Sequence, residues 1–396
     1  MSNIEGTLGK VKTSFVELFN EAQPFSLECG EKLTNVKVAY QTYGKLNDEG
    51  TNAIVICHAL TGNAHAAGIL ESSEYDFNSR PDCLNQYSVM AKGKPGWWDP
   101  IIGHGKVFDT NKYFIISSNI LGSCYGTTGP TTMNAATSKK YGADFPPVTV
   151  RDMIHVQKKL VDHLGVNKIV TVAGGSLGGM QVLEWALLYP ELVESIIPIA
   201  TAAQHSPWAI GLNEASRDAI KNDPEWKNGD YVKQPLNGLA LARKIAMLSY
   251  RSFDSFGKKF TRERDENKTF HDEDNLFEVE NYLNYQGDKL TKRFDANAYL
   301  TLSKTMDMHD VARGRGSLEE ALGRITCPVL NIGISSDVLY PATEQKNICK
   351  LISQAEYAEI DSIHGHDAFL IEFDQLTEII SGFLSKPGQL KKTATM

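Results

Sequence analysis

Several things are missing from this chain of 396 residues, and each absence removes a class of function. No apolar run is long enough to span a bilayer. The opening stretch, MSNIEGTLGKVKTSF, has no apolar segment of signal-peptide length, so a cytoplasmic protein is expected. Positive charge is in deficit: 40 Lys and Arg stand against 48 Asp and Glu, a formal net charge of −8. That balance argues against a nucleic-acid footprint and against docking on an anionic membrane. The six cysteines, Cys29, Cys57, Cys83, Cys124, Cys327 and Cys349, form no C-x-x-C pair and show no regular spacing. Without an export signal they read as reduced thiols. His58 and His65 lie close in sequence but belong to no H-E-x-x-H or H-x-H-x-D-H pattern, so a loop-stabilising or pocket-lining role is expected and a metal is not. The loop LGSCYGTTGP is not followed by G-K-[ST] and is no P-loop. No internal repeat stands out. What remains is a composition of 42% hydrophobic and 22% charged residues, ordinary for a soluble globular protein.

Against that background one stretch stands out, KIVTVAGGSLGGMQVLEWALLYP, from Lys168 to Pro190. Ile169 to Val172 is an apolar, β-branched run that reads as a buried strand. Gly174-Gly175-Ser176-Leu177-Gly178 is a sharp turn, and an Ala/Leu-rich helical pattern follows to Pro190. Strand, G-x-S-x-G, helix is the context of a nucleophile elbow. Gly174 and Gly178 lack Cβ atoms, so strand and helix can close tightly around a strained Ser176. The helix N-terminus leaves the Leu177 N–H free to bind a developing anion.

The rest of the chain supplies the rhythm this motif requires. Phe15–Phe19 and Val36–Tyr43 alternate apolar and polar residues, as antiparallel strands with one wet face do. Ala53–Cys57 is continuously apolar, as in a strand buried on both faces, and runs into HALTGNAH. A loop there is where an α/β-hydrolase supplies its second oxyanion donor, which makes the Leu60 N–H the candidate. Residues 66–110 read as a long loop region. Phe114–Asn119 is a further strand. Thr149 opens a helix with a capping-box start that Gly165 ends. Val193–Ala200 and Pro328–Ile334 read as parallel strands. From about 205 to 316 only helical patterns and charged loops occur; FTRERDENKTFHDEDN, residues 260–275, reads as a solvated face. The chain after Leu384 reads as mobile. The expected architecture is therefore α/β: a mostly parallel sheet with helices on both faces, built from residues 1–204 and 317–396, with an all-helical lid inserted at 205–316.

An activated serine needs a base, and the base needs an orienting acid, in the chain order Ser, Asp, His for this fold. SSDVLYP follows a strand and carries Asp337; DSIHGHD follows another and carries Asp361, His364, His366 and Asp367. Asp337 is favoured over Asp361, which sits too near the histidines. His364 and His366 both remain candidates on this reading.

The combination is more specific than its parts. NVKVAYQTYGKLN, HALTGNAH, GWWDPIIG, NILGSCYGTTGP, GGSLGGMQVLEW, ARKIAMLSYRS, SSDVLYP and GHDAFL together resemble the homoserine O-acetyltransferase family, α/β-hydrolase-fold acyltransferases of methionine biosynthesis. The likeness spans nearly the whole chain. It implies Ser176 as nucleophile, Asp337 as acid, His366 rather than His364 as base, and the Leu60 and Leu177 amides as oxyanion hole. It implies that Arg243, Tyr250 and Asp367 bind the amino acid. It implies L-homoserine and acetyl-CoA as substrates, no cofactor besides that co-substrate, and a homodimer joined through the lid. Homoserine and serine succinyltransferases share these motifs, and an esterase or thioesterase would share the triad. HALTGNAH, LGSCYGTTGP, GGSLGGM and SSDVLYP, the stretches expected around the acyl group, contain no lysine or arginine. This favours acetyl over the charged succinyl group.

Overall fold

A computed structural model describes residues 8–75, 82–264, 266–269 and 271–386. Residues 387–396, which include most of the tail read as mobile, lie outside the described residues, as do positions 265 and 270 of the solvated run. The strands β1 (Ser14–Glu17), β2 (Lys37–Tyr43), β3 (Ala53–Cys57), β4 (Phe114–Ser118), β5 (Ile169–Gly175), β6 (Ile196–Ile199), β7 (Val329–Ile334) and β8 (Ala355–Ile360) form one eight-stranded sheet. Its order is β8-β7-β6-β5-β3-β4-β2-β1. The ladders from β8 across to β4 are parallel, and those from β4 to β2 and from β2 to β1 are antiparallel. This follows from the patterning: β3, β5 and β7 are buried along their whole length, whereas β1 at the edge alternates between exposed and half-buried.

The helices α1 (Asp82–Met90), α2 (Val150–His163) and α3 (Leu177–Leu188) precede a run of five, α4 (Pro207–Lys221), α5 (Leu236–Tyr250), α6 (Phe253–Lys259), α7 (Glu278–Thr291) and α8 (Ala296–Asp307). Then come α9 (Leu318–Leu322), α10 (Ala342–Leu351) and α11 (Phe373–Leu384). Thr149 caps α2 reciprocally with Asp152, and Ser317 caps α9 with Glu320. The reading of 66–110 as loop is corrected: α1 lies inside it. Its nine residues, DCLNQYSVM, carry little amphipathic signal, so periodicity does not reveal it.

Between Pro207 and Asp307 every regular element among the described residues is helical. The two ends of this segment meet. Val311 N–H donates to Ala203 O at 2.9 Å and His205 N–H to His309 O at 3.0 Å, around an antiparallel bridge between Gln204 and Asp310. Among the described residues no helix is long and apolar enough to cross a membrane.

Candidate active site

The site is built where β5 turns into α3. Ser176 has φ 60° and ψ −127°, a strained conformation for a residue with a side chain. Backbone bonds hold it there: Ser176 N–H donates to Ile199 O at 2.9 Å, and the Thr201 hydroxyl donates to Ser176 O at 2.8 Å. The close packing expected of Gly174 and Gly178 has a specific target. A Cβ on Gly174 would sit 2.6 Å from the Cys57 carbonyl oxygen, and one on Gly178 only 2.3 Å from it. The elbow is thus pressed against the end of β3, the strand that leads into the HALTGNAH loop.

Leu177 is the first residue of α3, so its N–H has no carbonyl four residues back to bond. Leu60 lies in the loop after β3. A buried amide ties the two together: Gln181 Nε2 donates to His58 O at 3.2 Å and to Leu177 O at 3.1 Å. Gln181 is in turn held by Gln157 at 2.7 Å, and Gln157 by the Trp185 indole N–H at 2.8 Å. His58 donates from Nδ1 to Ala59 O at 2.8 Å and accepts the Ile120 N–H on Nε2 at 3.2 Å. Burial lowers its pKa to about 4 and keeps it neutral for that work. His65 contacts Gln41 at 3.2 Å, and burial likewise lowers its pKa to about 4. Among the described residues no cluster of three or more His, Cys, Asp or Glu is arranged to hold a metal.

The structure brings the favoured acid, Asp337, together with His366. His366 Nδ1 lies 2.8 Å from Asp337 Oδ2, while Asp337 Oδ1 accepts the N–H groups of Leu339 at 2.8 Å and Tyr340 at 3.0 Å. Asp361 instead accepts from the Ser335 hydroxyl at 3.1 Å, and His364 meets Arg251 at 3.4 Å. With Nδ1 engaged by the carboxylate, the His366 Nε2 is left for a reacting partner. Tyr250, Tyr340 and Phe369 surround the imidazole with ring centroids 5.6, 5.3 and 5.6 Å away. Ser176, Asp337 and His366 are 5%, 5% and 3% exposed, so their polar interactions operate largely out of water. Tyr340 was not anticipated as part of this shell. Its hydroxyl lies 3.0 Å from His205 Nε2, and His205 and Arg217 face Asp307 at 3.4 and 2.6 Å, linking the site to α4 and α8.

Ser176 and His366 both line a cavity of about 340 Å³, together with Leu60, Arg243, Tyr250 and Asp367. Arg243 lies over the Tyr250 ring at 5.3 Å, and Asp367 pairs with Arg251 at 3.5 Å. Burial pushes the Tyr250 phenol up, so it stays protonated. Of the stretches expected around the acyl group, LGSCYGTTGP and SSDVLYP do not line the cavity; Lys94, Lys289 and Arg293 do, beside the expected Arg243, with Asp367 as the one acid. Lys289 has its pKa lowered by burial and by the like charges of Arg293, Lys94 and Arg243. These cations come from three distant parts of the chain, and no motif marks their convergence. Tyr87, Met90, Trp97 and Leu370 supply the apolar wall.

A family model described as alpha/beta hydrolase fold matches residues 52–373. A curated homoserine O-acetyltransferase of Carboxydothermus hydrogenoformans is 50% identical over 391 residues, covering 96% of this chain and 97% of its own. The crystal structure of homoserine O-acetyltransferase from Bacillus anthracis superposes with a TM-score of 0.85 at 30% identity, covering 96% of this chain and 99% of that one. The crystal structure of esterase E22 superposes with a TM-score of 0.82, also at 30% identity, covering 94% of this chain and all of the other, 100%.

Proposed function

The chain belongs to the homoserine O-acetyltransferase family of α/β-hydrolase-fold acyltransferases, and from that premise we propose that it transfers the acetyl group of acetyl-CoA to the hydroxyl of L-homoserine through an acyl-serine, in methionine biosynthesis. The observation that carries the mechanism is the buried His366–Asp337 pair beside the strained Ser176.

Ser176 Oγ attacks the thioester carbonyl while His366 Nε2 takes its proton. The tetrahedral oxyanion lies on the Leu60 and Leu177 N–H groups. Collapse breaks the C–S bond, and the thiolate leaves with the proton from His366. The homoserine hydroxyl then enters, gives its proton to His366 and attacks the acyl-serine. A second collapse frees O-acetylhomoserine and returns the proton to Ser176. Arg243 holds the amino-acid carboxylate, a task suited to its planar fork. Asp367 takes the ammonium, and Tyr250 packs between them. No cofactor enters this scheme.

The charge of the cavity supports an acyl-CoA donor. Lys94 and Lys289 are exposed at the cavity mouth, with apolar walls and Ser176 in the same space. A ligand with phosphates at one end and a thioester at the other matches that gradient. The helical segment serves as a lid that keeps water from the acyl-enzyme. Leu241 and Leu248, seven residues apart on one side of α5, are 48% and 57% exposed, and Phe253 at 91% and Tyr285 at 59% are further exposed apolar side chains of the same segment. A second copy covers them, giving a homodimer. The cytoplasm suits six unpaired thiols and a CoA-dependent synthesis.

Mass spectrometry after acetyl-CoA alone tests the scheme. One acetyl group on Ser176, none in Ser176→Ala, and parallel initial-rate lines at several homoserine concentrations are the expected results. Intersecting lines without an acyl-enzyme would refute it. The likeness to esterase E22 gives a second reading, ester hydrolysis. It predicts donor turnover equally fast without homoserine.

A further inference from the structure

Arg293 follows α7 and so belongs to the helical segment, yet its guanidinium is engaged by the core. Nη1 donates to the Thr61 carbonyl at 2.8 Å and to the Tyr125 hydroxyl at 2.6 Å, and Nη2 lies 3.4 Å from the Thr61 hydroxyl. Thr61 is 232 residues away in sequence. The titratable groups that face Arg293 are two phenols and a thiol, Tyr125, Tyr87 and Cys124, and a second cation, Lys289. Among the described residues it forms no ion pair with a carboxylate. A half-buried cation gives up hydration that no carboxylate here repays, so its place beside Thr61 calls for a reason beyond stability.

Thr61 supplies that reason by position. It directly follows Leu60, whose N–H is one of the two oxyanion donors in the scheme above. The near side of this loop is already fixed: Gln181 holds His58 O, and Ile120 N–H holds the His58 ring. Beyond Leu60 the turn closes on its own Gly62 N–H to Ala59 O bond at 2.9 Å. Further on, the Trp97 indole N–H donates to Asn63 O at 3.0 Å; Arg293 is what holds Thr61 itself, and a guanidinium can hold two acceptors in a fixed plane as a lysine cannot. It also lines the same cavity as Ser176, where a fixed positive charge favours a developing oxyanion.

We infer that Arg293 is a positioning residue for the acyl transfer. It clamps the Leu60–Gly62 turn so that the Leu60 N–H points at the oxyanion, and it makes that aim depend on the helical segment being docked. The inference rests on the assignment of Leu60 as a donor.

The test compares Arg293→Met and Arg293→Lys with wild type in three measurements. These are the burst rate of CoA release from acetyl-CoA, the KM for acetyl-CoA, and the affinity of an alkylboronic acid, whose adduct on Ser176 carries the tetrahedral charge. Arg293→Met should slow the burst by about 10- to 100-fold, weaken the boronate by a similar factor and leave the KM within about threefold. Arg293→Lys keeps the charge and one bond and should recover part of both losses; it also carries the test if the methionine variant does not fold. A wild-type burst rate in the methionine variant would overturn the inference. So would a loss confined to KM with boronate affinity intact, since Arg293 would then be a substrate contact. Acetylation of Ser176 in the wild-type enzyme is scored separately, so failure of the clamp is distinguishable from failure of the serine mechanism.

Discussion

Gly178→Ala is the sharpest perturbation the elbow offers. The added methyl would sit 2.3 Å from the Cys57 carbonyl oxygen and 3.0 Å from its carbon. Ordinary contact begins near 3.4 Å, so the methyl is about 1 Å too close. The obstacle is backbone, and Cys57 and Leu177 are 1% and 0% exposed, so no side-chain rotation relieves it. The N-terminus of α3 must retreat from the end of β3. Leu177 lies on one side of that gap and Leu60 beyond the other, so the two amides move apart. A displacement of about 1 Å at a reacting centre is worth on the order of 100-fold in rate, and overpacking of this kind costs about 1–3 kcal/mol. The expected variant is folded, melts earlier and releases CoA in the burst phase about 100-fold more slowly. Gly211→Ala in α4 is the control. Nothing lies within 4 Å of its added methyl, so the rate should hold and stability should rise by about 0.4–1 kcal/mol. A wild-type burst in Gly178→Ala, or an equal loss in Gly211→Ala, would refute the steric argument.

Arg243→Ala should raise the homoserine KM more than tenfold while sparing acetylation of Ser176, because a charge-assisted pair is worth about 1.5–3 kcal/mol; an unchanged KM would remove it from the carboxylate site. Lys289→Gln should weaken acetyl-CoA more than a phosphate-free acetyl thioester, read as the ratio of the two kcat/KM values; an unchanged ratio would move the phosphates elsewhere. Acetyl-CoA should exceed succinyl-CoA in kcat/KM at saturating homoserine, and equality or reversal would assign one of the cavity cations to the acyl group. His58, His65 and His309 are each lowered by burial to about 4. Below the unfolded value near 6.5 the unfolded chain binds protons that the folded one does not. Stability is therefore fully present above pH 6.5 and falls toward pH 4, by roughly 1.4 kcal/mol per pH unit per histidine. A flat denaturant midpoint across that window would contradict their burial.

The sequence was most legible where a feature is local. The Ser176 elbow, the Thr149 and Ser317 capping boxes and the apolar runs of β3 and β7, the latter broken only by Asn331, each announce themselves within a dozen residues. So did Asp337 at its strand end, favoured over Asp361 because the latter sits too near the histidines; in the structure Asp337 lies 2.8 Å from His366. What escaped was assembled from afar. Tyr340 gains its place by meeting His205 from α4's approach. Arg293 gains its own by reaching Thr61. Lys94 and Lys289, which join the expected Arg243 in the cavity, have no common spacing to betray them. The helix α1 escaped for another reason, since its apolar positions do not collect on one side and its cavity residues Tyr87 and Met90 look unremarkable in isolation.

The paired ends of the helical segment have a consequence for descent. Because Ala203 and Val311 are hydrogen-bonded neighbours, the sheet receives the segment as it would a tight turn. The entropy of closing such a loop grows only with the logarithm of its length. Its residues can therefore be lengthened, shortened or exchanged between lineages without renegotiating a single strand pairing. Serine, histidine and aspartate stay with the sheet, while Arg243, Lys289 and Arg293 travel with the insert. Under the proposed scheme, the acceptor of the acyl group would thus change with the insert, while the Ser176, His366 and Asp337 set would be inherited with the sheet.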